Sequence, residues 1–332
     1  MSKGSVLVTG GAGYIGSHAV LALLDSGWDV VVVDNLVTGF RWAVDPRASF
    51  VEAAIEDEDA VRAAIADHAV VAVMHFAGSV VVPESVADPL KYYRNNTAAS
   101  RSLIESVIAA GVRHFIFSST AATYGTPARI PVAEDDPRAP INPYGMSKLM
   151  TEAMLADVAA AHPLNYCTLR YFNVAGADPA GRSGQSTAGA THLIKVAVEV
   201  ATGRRGHVAV FGTDFPTADG TGVRDYIHVS DLAAAHVHAL DLLIADPAAS
   251  HTMNCGYGHG YSVLEVLDAV DRVTGVTIAR GIEGRRAGDP AELVSDNRRI
   301  LDVLPWRPQH DDLDRIVADA LAWERRLAER AG

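Results

Sequence analysis

Tyr144 and Lys148 stand four residues apart in Tyr144-Gly145-Met146-Ser147-Lys148, a spacing that puts both side chains on one face of a helix. Asn142 and Pro143 read as an N-cap and a first helical position, so the helix is expected to begin just before Tyr144. A phenol held beside a fixed cation can exchange a proton with a substrate. Free tyrosine titrates near 10, and bringing it about three units down to neutrality corresponds to roughly 4 kcal/mol. One positive charge at about 4 Å supplies on the order of that amount at an intermediate dielectric. Lys148 is therefore expected to lower the Tyr144 pKa. A Tyr-x-x-x-Lys pair also occurs on ordinary exposed helices, so its meaning depends on what surrounds it.

Upstream, Thr9-Gly10-Gly11-Ala12-Gly13-Tyr14-Ile15-Gly16 follows the apolar run Val6-Leu7-Val8 and opens a helical pattern. Gly10, Gly13 and Gly16 permit a tight turn, and the backbone there, with Tyr14 and Ile15 at the helix start, can approach a pyrophosphate. Asp34, followed by Asn35, closes the next β-branched run, Val30–Val33, eighteen residues after Gly16. Its carboxylate suits a ribose diol and repels a 2′-phosphate, which favours NAD over NADP. Dinucleotide binding is the expectation, and an oxidised nicotinamide, itself cationic, would add to the effect of Lys148 on Tyr144.

These residues need a scaffold that the rest of the chain predicts. Strands are expected at Val6–Thr9, Val30–Val33, Val70–His75, Phe115–Ser119 and Tyr166–Arg170, alternating with helices at Tyr14–Ser26, Asp57–Ala66, Pro89–Ala110 and from Tyr144 onward. That rhythm predicts an α/β fold, a doubly wound parallel (Rossmann) sheet with ligands across its C-terminal edge. Residues 1–172 are assigned to an NAD-binding domain and 173–332 to a smaller C-terminal substrate-binding region. Segments around 224–256 are candidates to return to the main sheet. Loops at Asn173–Gly189 and Gly212–Gly222 have the length and composition of binding loops. Helices are expected at Leu193–Thr202, Leu232–Ile244, Val263–Thr274 and Leu313–Glu329.

At 332 residues, 49% apolar and 20% charged, the composition is that of a soluble globular protein. A net charge of −12 argues against nucleic acid as the main partner. Cys167 and Cys255 are far apart and lack metal-ligand spacing, and His236 and His238 point to different faces of one helix. No metal is expected. Without a leader-like or membrane-length apolar stretch, a cytoplasmic protein with no membrane partner is expected.

The segments VLVTGGAGYIGSH, VVVDNL, HFAG, PESV, YYRNN, FIFSST, PYGMSK, LRYFNVAGA, DGTGVRDYIHVSDLA and RRAGDPAELVSD resemble the short-chain dehydrogenase/reductase superfamily in its extended form. Over about residues 5–310 the chain is most similar to the UDP-galactose (UDP-glucose) 4-epimerases. The resemblance implies Tyr144 as the base, Lys148 as the residue that lowers its pKa and binds the nicotinamide ribose, and Thr120 as the hydroxyl on the sugar. It implies Phe76, Ala77, Gly78, Asn96, Ser118 and Tyr171 around the cofactor. Asn173, His192, Leu193, Phe211, Arg224, Tyr226, Arg286, Asp289 and Leu293 are implied for the UDP-sugar, with Phe211 at the uracil and Leu293 at the sugar pocket. Four positions depart from the familiar pattern: Thr120, where Ser is more common, Ala54, Val80 and Leu293.

The implied activity is reversible C4 epimerisation of UDP-glucose and UDP-galactose through a transient 4-keto sugar, with no net redox change, in galactose metabolism. A C4 hydrogen is not acidic, so inversion requires removal of a hydride rather than a proton. A homodimer through Pro89–Ala110 and Tyr144–Ala161 is also implied. Epimerisation of UDP-N-acetylglucosamine or a UDP-uronate, and a non-catalytic NAD sensor, remain as alternatives. A 4,6-dehydratase or a decarboxylase needs acidic residues after the threonine, where this chain has Ala121, Ala122 and Thr123.

Overall fold

The computed structural model describes residues 3–286 and 288–331. In chain order the strands are β1 (Ser5–Thr9), β2 (Asp29–Asp34), β3 (Ser49–Glu52), β4 (Val70–His75), β5 (His114–Thr120), β6 (Asn165–Tyr171) and β7 (Asn173–Ala175). There follow β8 (Val208–Phe211), β9 (Val223–Arg224), β10 (Tyr226–His228), β11 (His251–Cys255), β12 (Tyr261–Ser262), β13 (Arg280–Glu283) and β14 (Glu292–Leu293). Seven of these form one sheet in the order β11-β6-β5-β4-β1-β2-β3, with every neighbouring pair parallel. The α/β doubly wound fold expected from the sequence is the fold observed. Strand order reverses beside β1, and the crevice between the C-terminal ends of β1 and β4 is where such sheets bind ligands.

Strands buried on both faces need apolar side chains in both directions. Val6, Leu7 and Val8 of β1 and Val31, Val32 and Val33 of β2 have no exposed surface. Their alternate members enter two cores. Val6, Val8 and Val32 pack with the first helix (Tyr14–Asp25) and the Val229–Ala245 helix. Leu7, Val31 and Val33 pack against Val61, Leu103 and Leu155 on the opposite face. The small strands lie outside this sheet: β10 with β7, β12 with β9 and β14, and β13 with β8.

Helix ends match their local signals. Asn142 caps the Pro143–Ala161 helix through its side chain to the Gly145 N–H at 2.9 Å. The Val263–Thr274 helix has a full capping box, Ser262 with Glu265, and ends at Gly275 with φ 70°. The expected single helix Pro89–Ala110 is instead three pieces, Pro89–Tyr92, a wider turn over Tyr93–Ala98, and Ala99–Ala109. Within the wide turn the Asn96 carbonyl accepts from the Ser100 and Thr151 hydroxyls. Two further strands carry no clear signal of their own: β3 at the sheet edge, and β11, which joins the sheet beside β6 from 80 residues downstream.

Candidate active site

The glycine turn packs directly on the strand beside it. A Cβ at Gly10 would stand 2.6 Å from Ala77 N and 2.9 Å from the Phe76 carbonyl carbon, and Gly10 has φ +71°. A Cβ at Gly16 would lie 2.1 Å from Gly10 O. Only glycine allows both the left-handed turn and these approaches. Gly13 begins the first helix without any side chain capping its terminal amides. Tyr14 contributes backbone here, because its hydroxyl is committed to Gly176 O at 2.7 Å. Ile15 packs against the core.

Asp34 ends β2 only 8% exposed. Its Oδ2 accepts from Ala12 N–H at 3.0 Å and its Oδ1 from Leu36 N–H at 2.8 Å. Each oxygen retains a lone pair for a ribose hydroxyl. Asn35 is exposed and accepts from Val37 N–H through its side chain.

On the other side of the crevice, Lys148 is 3% exposed. Its Nζ donates to Ser118 O at 3.0 Å and lies 5.0 Å above the Phe117 ring. Burial pulls its pKa down from 10.5 to about 8. Gly78 closes on this group, since a Cβ there would be 2.8 Å from Asn96 Oδ1 and 3.7 Å from Lys148 Nζ. Asn96 accepts from Ser79 N–H at 2.7 Å and donates to Ser79 O and Ser147 Oγ at 3.0 Å each. It therefore shapes the Gly78–Ser79 backbone with its own amide. Ser118 Oγ and the Tyr171 hydroxyl share a hydrogen bond.

Tyr144 is half-buried on the same helical face as Lys148. Burial raises its pKa above the ordinary 10.0, while a hydrogen bond with Thr120 pulls it down. The expected lowering by Lys148 is not produced by the chain alone: burial raises the Tyr144 pKa, and the Lys148 ammonium is turned toward the Ser118 carbonyl. Thr120 ends β5 at 8% exposure and accepts from Ala122 N–H at 3.1 Å.

The residues implied for a sugar nucleotide form two further groups. Asn173, His192, Leu193 and Tyr226 line one small cavity with Lys195 and Trp323. Phe211, exposed on β8, lies under the Arg286 guanidinium at 5.1 Å, and Arg286 Nε donates to Asp289 Oδ2 at 3.0 Å. Arg224 faces Leu293 in the β9–β14 pairing and donates to Val223 O at 2.8 Å. Burial lowers its pKa, and the negative charge of Asp289 opposes that shift. Leu293 packs with Phe172 against Ala121, Tyr124 and Val132, so it adjoins the turn after Thr120. Of the two remaining departures, Ala54 is half-buried and Val80 is 51% exposed.

Two supporting groups went unread in the sequence. Asp225 is fully buried between Arg224 and Tyr226 and accepts from Tyr257 N–H, Gly258 N–H, Ser295 N–H and Ser295 Oγ. It joins the segments after β11 and β14 to the junction of β9 and β10, next to Arg224. Arg170 is 2% exposed and pairs with Glu152 at 2.6 Å, while Ser119 also donates to Glu152 and Arg170 to the Tyr124 hydroxyl at 2.8 Å. This network holds both sides of Thr120. Its signal was a charged residue within an otherwise apolar buried strand, Leu169-Arg170-Tyr171.

His236 Nδ1 bonds Leu232 O at 2.8 Å and its ring packs on Phe76 and Tyr171. Among the described residues, His228, His310 and Asp319 are the group that brings possible ligand atoms together. His228 Nδ1 accepts the Ser230 N–H at 3.0 Å, and its Nε2 faces Asp319 at 3.3 Å. That is a histidine–carboxylate contact.

A parallel sheet with a glycine turn at its switch point, an acid at the end of β2 and a Tyr–Lys helix over β5 defines a dinucleotide-dependent enzyme of the short-chain dehydrogenase type. The chain belongs to the NAD dependent epimerase/dehydratase family, whose model matches residues 6–256. It is 55% identical over 327 residues to a UDP-glucose 4-epimerase of Azospirillum brasilense, covering 98% of this chain and 94% of that protein. The crystal structure of a Stenotrophomonas maltophila UDP-glucose 4-epimerase with bound NAD and formylated UDP-arabinopyranose superimposes with a TM-score of 0.94 at 42% identity, covering 99% of each chain. That of a Brucella ovis UDP-glucose 4-epimerase with NAD gives 0.93 at 44% identity, over 96% of this chain and 98% of that one. Among the described residues, no helix is long and apolar enough to cross a membrane.

Proposed function

We propose that this protein is an NAD-dependent UDP-glucose 4-epimerase, interconverting UDP-glucose and UDP-galactose through a 4-keto sugar without net redox change. The observation that carries the reading is the pairing of Tyr144 with Thr120 beside the buried cation Lys148, at the edge where the glycine turn meets Ala77. The residues fit NAD: uncapped helix amides at Gly13, a carboxylate at Asp34 with free lone pairs, and a buried ammonium on the opposite wall. Bound NAD supplies a reversible hydride acceptor and one positive charge.

Tyr144 takes the O4 proton as C4 is oxidised and returns it after the sugar has turned. Thr120 orients O4 through its hydroxyl. The Lys148 charge holds the nicotinamide ribose and, with the cofactor, favours the Tyr144 phenolate that burial otherwise opposes. Arg224 and Arg286 hold the diphosphate, since guanidinium offers paired donors in a plane, and the Phe211 ring flanks the uracil. Asn173, His192, Leu193, Tyr226 and Asp289 complete the UDP-sugar side. Leu293 limits the space in which the sugar turns. The proposal includes a role in galactose metabolism and a cytoplasmic setting. Exposed apolar side chains at Val86, Leu90 and Met150 support a homodimer through the helices around 89–110 and 144–161.

Incubation with UDP-galactose should yield UDP-glucose without added reductant, measured by separating the two sugars. Protein that binds NAD and converts neither sugar would instead be a sensor.

A further inference from the structure

The segment after Asp34 is held from the far end of the chain. A Cβ at Gly39 would stand 2.9 Å from the Ala12 side chain and 3.0 Å from Asp34 Oδ1. Phe40 N–H donates to Ala12 O at 2.9 Å. This backbone therefore forms the outer edge of the Asp34 recess, and it continues into a single turn of 3-10 helix, Arg41–Ala43. Trp42 in that turn packs on Phe40 with ring centres 5.1 Å apart and stacks on Trp323 at 6.1 Å with 29° between planes. The Arg330 guanidinium lies over both indoles, 4.7 Å from the Trp42 ring and 5.9 Å from that of Trp323.

Trp323 and Arg330 lie on the terminal helix Leu313–Ala331, seven residues and hence two turns apart on one face. Trp323 is itself fixed, 2% exposed, with its Nε1–H donating to Ser186 Oγ at 3.1 Å. Trp42 is 41% exposed, so its stacking positions a surface turn rather than filling the core. Besides that stack, the turn at the recess is fastened by the Phe40 backbone bond, by the Arg41 guanidinium 4.5 Å over the Phe50 ring and by Val44 in the core.

We infer that Trp42, Trp323 and Arg330 form a clasp by which the terminal helix holds the Gly39–Ala43 segment against the Asp34 recess, making them positioning residues for NAD retention. The inference rests on the cofactor reading proposed for Asp34 and the glycine turn. Trp42 and Arg330, the clasp residues away from the Asn173–Tyr226 cavity that Trp323 also lines, act on the adenosine side of NAD. The indole, with two side-chain torsions, is cheap to order in such a stack, and the guanidinium over its face adds a cation–π attraction.

Titration calorimetry on the full-length protein stripped of nucleotide tests this, with NAD as ligand and UDP as control. Trp42→Ala should weaken NAD about tenfold and Arg330→Gln about threefold, in keeping with one lost aromatic or cation contact. UDP affinity should stay within about twofold, and Trp42→Phe should restore most NAD affinity. Unchanged NAD affinity in both variants overturns the clasp, as does an equal loss of NAD and UDP affinity. If Trp42→Ala does not fold, Arg330→Gln, at an exposed helix end, decides the matter. Wild-type protein that binds UDP but no NAD overturns the cofactor reading itself.

Discussion

Lys148 and Arg286 are both cations proposed to hold ligands, yet they are held in opposite ways. Lys148 sits inside a helix of 19 residues, 3% exposed, with its ammonium on the Ser118 carbonyl. Arg286 is exposed in the stretch between β13 and β14 and is fastened by Asp289 and the Phe211 ring. The same contrast separates the two walls. Asp34, Asn96, Ser118 and Lys148 are placed by buried hydrogen bonds within or against the seven-stranded sheet. Arg224, Leu293 and Phe211 stand on strands of two to four residues outside it. A wall preset by the fold costs little to order on binding, whereas a wall of short strands and exposed side chains gains order from its ligand. A cofactor regenerated in every cycle suits the first, and a sugar that must turn over suits the second.

The sharpest test is Tyr144→Phe. The phenolic oxygen acts on the preset wall and only as the proton moves, so kcat should fall about a thousandfold, roughly 4 kcal/mol. UDP-sugar affinity, owed to the other wall, should stay within a few-fold by calorimetry. A parallel loss of affinity would show that the walls are not separable.

Next in size is the pH dependence of stability set by Lys148. Burial lowers its pKa from 10.5 to about 8. Between these values the unfolded chain holds the proton and the folded protein does not, so stability rises with pH across that window. Below about pH 8 both states are protonated and the cost of the buried charge stands in full. In NAD-free protein, the stability of wild type minus that of Lys148→Met should climb from pH 8 to 10.5 by up to about 3 kcal/mol in denaturant melts. A flat difference would mean that the lysine is not desolvated and that this wall is less preset than its geometry implies.

The smallest effect belongs to the adaptable wall. Leu293→Ala should raise kcat/KM for UDP-N-acetylglucosamine relative to UDP-glucose, and Leu293→Tyr should lower it, by about 1–2 kcal/mol in either direction. An unchanged ratio in both variants would remove Leu293 from the sugar pocket and shift the limit to Phe172 or Tyr124, which pack beside it.

Much of the preset wall was readable because its signals are local. Gly10 needs φ +71° and close approach to Ala77, and both demands show as glycine in the chain. Asn142-Pro143 marks a helix start by capping chemistry, and a spacing of four aligns Tyr144 with Lys148. Runs of valine buried on both sides announce a parallel sheet. The adaptable wall was reached through resemblance, since a two-residue strand such as β9 or β14 has no periodicity to read.

What the sequence determined by itself was the menu of local structure and the chemistry of its side chains. Tertiary structure decided which distant groups share one environment. In the wide turn at Tyr93–Ala98, Asn96 serves Ser79 and Ser147 at once. The Tyr144 pKa is raised rather than lowered because burial depends on what packs around the ring. Asp225 joins the segments after β11 and β14, and Trp42 meets Trp323 from the other end of the chain. Propensity and capping act over a few residues, but desolvation and stacking depend on neighbours in space, and these become defined only once the sheet has closed.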